Sequence, residues 1–195
     1  MEQRKLHNEF LTDALLQFRK YKKMGEDAIG QISEKDFYKL LDKDANNVAL
    51  IVKHMAGNMR SRWADFLTTD GEKPNRHRDT EFEIYDDDSK KSLMLKWEEG
   101  WQLVFDAIEP LDGDDLLKTI HIRNEPHSVM QAINRQLTHY AYHVGQIVFL
   151  AKHFAGPKWK SLSIPKGKSK EFEVSKRGKM VKMGKSKKRS SKKRR

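Results

Sequence analysis

The sequence contains no cysteine, which removes disulfides, thiolate metal ligands and a cysteine nucleophile from consideration. It has no apolar run of about 18 residues or more, so no segment is expected to span a membrane. The opening "MEQRKLHNEFLTD" is charged from its second residue and lacks the apolar stretch of a signal peptide, which makes a cytoplasmic protein the expectation. A basic body is missing too, although the formal charge is +11. Residues 158–195 hold 17 Lys and Arg against Glu171 and Glu173, leaving 22 basic and 26 acidic residues in 1–157, a net of −4. The high isoelectric point belongs to the C-terminal segment, and a broad nucleic-acid-binding face on the body is not what this sequence encodes.

What the sequence does have is helical periodicity in four long segments. The first runs from about Leu6 to Tyr21, with Leu6, Phe10, Leu11, Ala14, Leu15 and Phe18 on one side. The second follows Asn46-Asn47 and reaches about Phe66, spacing Leu50, Ile51, His54, Asn58 and Ser61 along one face. The third starts after Ser89, carries Leu93, Trp97, Trp101 and Val104, and ends before Pro110. The fourth opens with Ser128 and Gln131 at capping-box spacing and continues to Phe154, where Gly156-Pro157 stops it. "SEKDFYKLL" (33–41) suits a short extra turn, and the alternating "KTIHIRNEPH" (118–127) an extended lead-in to the last helix. Between the second and third helices lies the polar "TTDGEKPNRHRDTEFEIYDDDS", too long for a simple turn. A link of that length can run back along the molecule and set helices two and three parallel. The expected fold class is all-α, a four-helix bundle with a long connection between helices 2 and 3. The domain is drawn over 1–173, with Trp159, Leu162 and Ile164 able to strap onto the body. Residues 174–195, rich in Lys, Arg, Ser and Gly, are expected to be a disordered basic tail.

The last helix, "QLTHYAYHVGQIVFLAKHFAG" (136–156), is apolar yet holds His139, His143 and His153. His139 and His143 are four apart and project from one face, one turn above the other. Two imidazoles so placed can reach one metal ion, although the zincin motif is absent because Tyr140 stands where its glutamate base would be. His153 lies about 15 Å further along the axis, too far to share that ion, and suits charge compensation at the helix C-terminus. A third ligand must come from another helix, and His54 is the histidine inside the apolar part of helix two. Three neutral imidazoles leave coordination positions open, the pattern of a catalytic site, and suit zinc or nickel. The competing reading is that histidines at this spacing are core residues satisfied by hydrogen bonds. Asn58 and Ser61, one and two turns after His54, are either donors behind the ligands or ordinary interior polar residues. Gln136 shares the His139 face and can orient a ligand imidazole. Tyr140, Tyr142, Trp97 and Trp101 read as core or interface aromatics.

Two stretches, "IVKHMAGNMRSRWADFLTTDGEK" (51–73) and "NRQLTHYAYHVGQIVFLAKHFAG" (134–156), resemble the DinB/YfiT-like superfamily of metal-dependent proteins. The resemblance covers about residues 4 to 173 and includes "SLSIPKGKSKEF" after the fourth helix. Its signature is one histidine on helix two and a His-x-x-x-His pair on helix four, here His54, His139 and His143. It implies a four-helix bundle with a long second link, a divalent metal on those histidines and, often, a homodimer. Characterised members are S-transferases using bacillithiol or mycothiol, and a mycothiol-dependent maleylpyruvate isomerase. The resemblance therefore implies a metal that activates a low-molecular-weight thiol cosubstrate toward a small-molecule electrophile, with Arg60, Arg62 or Arg135 receiving the thiol's carboxylates. The alternatives are a metal-binding bundle without turnover, acting as a sensor or interaction module, and a function in the basic tail through non-specific nucleic-acid contact. That tail departs from the superfamily pattern. No catalytic residue beyond the metal ligands is assigned.

Overall fold

Phe10 is half-buried, and Leu11, Ala14 and Phe18 carry the buried stripe of α1 (Glu2–Ile29). In the computed structural model, which describes residues 2–174 and 180–182, this helix runs on past Tyr21, where the apolar periodicity fades. Gly25, Ala28 and Ile29 continue the buried face, and Lys22–Glu26 and Lys23–Asp27 pair one turn apart on the outer side. The extension was not legible because the stripe passes through a glycine. A β-carbon at Gly25 would stand 3.0 Å from the Trp97 ring, so the position is small because a tryptophan occupies its space.

The remaining helices begin where capping residues predict. Ser33 caps the single turn α2 (Glu34–Phe37), and Asn47 caps α3 (Val48–Trp63) by accepting from the Leu50 amide. Ser89 caps α4 (Lys90–Ile108). Ser128 and Gln131 complete a reciprocal capping box on α5 (Val129–Ala155), which Gly156 ends at a positive φ of 53°. The stretch read as an extended lead-in is a hairpin. β1 (Thr119–Ile122) pairs antiparallel with β2 (Glu125–Ser128), around a two-residue turn of Arg123 and Asn124 at φ 57° and 62°. That is type I′ geometry, reached here without the Asn-Gly or Asp-Gly pair that announces it in sequence.

Side-chain pairs fix the helix directions. Met59 and Ala56 of α3 meet Gly100 of α4, and one turn back Lys53 and Lys96 share the buried carboxylate of Asp88; α3 and α4 are therefore parallel. Tyr140 of α5 meets Trp63 and Asn58, and His143 meets His54, so α5 runs antiparallel to α3. Arg19 reaches Glu109 and Lys22 reaches Glu98, setting α1 antiparallel to α4. Phe18, Trp63, Trp97, Trp101 and Tyr140 form the interior, with Trp101 edge-on to Tyr140 at 5.5 Å between ring centres.

The connection of residues 64–89 is tied down along its length. The Asp70 carboxylate accepts from the backbone N–H groups of Arg123 and Asn124, at 2.9 and 2.8 Å. The Gly71 carbonyl accepts from Ser61 and from Arg62, and Asp88 anchors the far end. A five-residue 3₁₀ helix, Arg78–Phe82, lies in its middle and packs on α3.

The chain divides after Trp159, and the described residues from Lys160 on belong to a second unit in which β3 (Phe172–Val174) pairs with β4 (Met180–Lys182). The basic tail expected from 174 falls outside the described residues except for Val174 and 180–182. Among the described residues no helix is long and apolar enough to cross a membrane.

Candidate metal centre

His54 sits on the face of α3 that meets α5, and is buried. His139 and His143, one turn apart on α5, point back at it. Ring centres are 4.8 Å apart for His139 and His143, 4.9 Å for His54 and His143, and 5.5 Å for His54 and His139. Each ring offers one nitrogen such that all three lie within 4.8 Å of one another. His153 is exposed in the last turn of α5 and takes no part.

The hydrogen bonds decide which nitrogens are free. His54 Nδ1 lies 2.8 Å from Glu81 Oε2, and His143 Nδ1 lies 2.8 Å from Gln146 Oε1. A carboxylate or amide oxygen accepts, so each Nδ1 carries a proton, and in the neutral ring Nε2 is the nitrogen with the lone pair. His143 Nε2 and His139 Nδ1 are buried with no partner. Histidines that served only as core polar residues would have these atoms satisfied. Here the unsatisfied nitrogens belong to the group that can hold an ion together, and the donor set fits a transition metal.

The electrostatics keep the His139 and His143 rings neutral. Burial, with the neighbouring His143 and His54 and the Arg62 and Arg76 guanidiniums, pushes His139 down to about 3. Burial also pushes His143 down to about 4, helped by His54 and opposed by the Gln146 hydrogen bond. Both are unprotonated at neutral pH, so a cation held there would not have to displace a proton from either ring. Glu81 is held charged instead. Burial alone would raise its carboxyl, but hydrogen bonds from His54 and Arg76 outweigh that and hold it below the usual carboxylate range.

The triad borders a cavity of about 310 Å³ lined by His54 and His139 together with Asn58, Gln136, Tyr142 and five arginines. Arg62 donates to the Gly71 carbonyl and to Glu72 at 2.9 Å. Arg76 grips Glu81 through two parallel bonds of 2.8 and 2.9 Å, and Arg123 reaches Glu72 at 3.1 Å. Arg78 and Arg135 have no carboxylate partner among the described residues and present free charge to the opening. Arg60 is elsewhere, exposed near Glu99 in a separate groove between α3 and α4.

Asn58 and Gln136 both line the cavity. Asn58 Oδ1 accepts from the Tyr140 hydroxyl at 3.1 Å, and that hydroxyl in turn accepts from the Trp63 indole N–H at 2.9 Å. Gln136 Oε1 is buried without a partner, and the residues that hydrogen-bond the His54 and His143 rings are Glu81 and Gln146. Ser61 ties Gly71 and plays no part at the triad. Sequence reasoning missed Glu81, Arg76 and Gln146. The last was findable, three residues after His143 on the same helix; Glu81 and Arg76 lie in the polar connection, where no period marks an inward residue.

No curated protein and no solved structure matches the chain. Residues 5–168 match a family described as "Protein of unknown function (DUF1572)". That span is most of the sequence and includes all three histidines, and the chain belongs to the DUF1572 family.

Proposed function

We propose that this is a divalent-metal-dependent enzyme of thiol S-transferase type, with His54, His139 and His143 as the metal ligands. The observation that carries the reading is three imidazoles brought within 4.8 Å, two of them with buried unpartnered nitrogens, beside an arginine-lined cavity. In this reading the four long helices are a DinB/YfiT-like four-helix bundle, the parallel pair α3 and α4 being joined by its long connection, and the protein works as a homodimer.

Neutral ligands leave the full charge of zinc or nickel in place, and such a cation, when bound, lowers the pKa of a thiol sharing the site and makes it a nucleophile at neutral pH. The chain's own part is to place and select. Arg78 and Arg135 offer charge to the carboxylates of a small thiol, while Asn58 and Gln136 offer polar contacts nearer the triad. The absence of cysteine fits a nucleophile that arrives with the cosubstrate.

The test is elemental analysis of the untagged protein beside His54→Ala and His143→Ala, followed by addition of a small thiol to cobalt-substituted protein. Near-stoichiometric zinc or nickel, lost in both variants, and a thiolate-to-metal absorption band on adding the thiol are expected. A folded wild-type chain that takes up no metal after reconstitution rejects the reading. Metal without the band leaves a metal-binding module with no thiol chemistry.

A further inference from the structure

The triad is completed by a segment that holds no ligand. Glu81 and Phe82 end the 3₁₀ helix of the connection, and both act on His54. Phe82 stacks on the imidazole at 4.9 Å between ring centres, and Glu81 accepts a 2.8 Å hydrogen bond from its Nδ1. Glu81 is itself fixed by the paired bonds from Arg76. The Glu81 carboxylate lies against α3 at Gly57, three residues after His54. A β-carbon on Gly57 would stand 2.3 Å from Glu81 Oε1 and 2.8 Å from its carboxyl carbon, so a side chain there would displace the carboxylate from the place where Arg76 holds it. Gly57 lies in mid-helix with no turn to make, so its smallness has a cause in this contact.

We infer that Glu81 is the positioning residue of the metal centre and that Gly57 is the aperture through which it reaches His54. A neutral imidazole has two tautomers, and a ligand ring must present its lone pair on the correct nitrogen. The carboxylate on Nδ1 leaves Nε2 as the one atom of His54 able to bind metal. Arg76 compensates the charge of Glu81, so the buried carboxylate does not itself compete for the ion. The long connection thereby becomes part of the site, and a ligand on α3 is set by a residue 27 positions away. This rests on the metal reading above, and the experiment separates the two.

The experiment compares wild type with Glu81→Ala, Glu81→Gln and Gly57→Ala. The ¹⁵N resonances of His54 in the metal-free protein report its tautomer, and competition against a chelator reports zinc affinity. In wild type, His54 carries its proton on Nδ1 alone. In Glu81→Ala and Gly57→Ala the Nε2-protonated form appears and zinc binds roughly 10- to 100-fold more weakly. Glu81→Gln, whose carbonyl can still accept from Nδ1, falls between. An unchanged His54 tautomer or unchanged zinc affinity in Glu81→Ala and Gly57→Ala overturns the assignment and leaves Glu81 as a tether of the connection. Should wild type show the Nδ1 tautomer, and the variants lose it, while no zinc binds, the metal reading falls and the positioning of His54 by Glu81 stands.

Discussion

His139 and His143 make the metal-free protein sensitive to acid in a definite direction. In the unfolded chain both take up protons as pH falls through about 6.5, whereas the folded protein resists until about 4 for His143 and about 3 for His139. Between those limits the unfolded state binds more protons, so stability rises with pH there. The contribution of these groups is fully present above about 6.5 and is lost as pH falls toward 4 and 3. Thermal unfolding of metal-free protein at pH 7.5 and pH 5 is expected to show a larger loss for wild type than for a His139→Asn/His143→Asn double variant, whose neutral amides do not titrate. Equal losses would mean that the two rings are not held in a buried, neutral state. The same burial that costs stability in acid leaves both rings unprotonated at neutral pH.

Among the elements, the α3–α4 pair shows how close packing is written in small residues. A β-carbon on Gly100 would meet Met59 Sδ at 3.0 Å, Met59 Cβ at 3.1 Å and Ala56 Cα at 3.5 Å. The thioether can swing away and Ala56 Cα stands at ordinary contact distance, but Met59 Cβ moves only with its helix, so alanine there makes α3 and α4 give by a few tenths of an ångström. Gly100→Ala should therefore destabilise by about 1–3 kcal/mol, despite alanine's helix preference of up to about 1 kcal/mol, and denaturant unfolding would read the sign. Asn47, Ser89 and Ser128 were legible as helix starts because capping is local chemistry: each side chain accepts from a backbone amide three residues on. The end of α1 and the hairpin were not legible. The first depends on a glycine shaped by Trp97 across the interior, the second on a turn whose Asn124 and Arg123 amides are held by Asp70, 54 and 53 residues earlier.

In the molecule as a whole, the candidate site joins parts that sequence separates. His139 and His143 could be paired from helical spacing alone, and His54 singled out by its apolar helix, but their convergence depends on α3 and α5 packing antiparallel. Glu81 and Arg76 were invisible because a polar connection looks the same whether its charges face water or a histidine. An ion held by His54, His139 and His143 would link α3 directly to α5, with the connection fixed behind His54, and nothing in an unfolded chain assembles those three rings. Metal binding must then appear as folding stability, by mass action on the native state alone. At free zinc about 100-fold above its dissociation constant the gain is about 2.7 kcal/mol, which for a chain of this size raises the melting temperature by roughly 5–10 °C. His143→Ala, which keeps the helix and removes one ligand, should show little or no rise at the same zinc concentration. A rise equal to that of wild type would place the bound zinc somewhere other than between these helices, and the three histidines would then owe their proximity to packing.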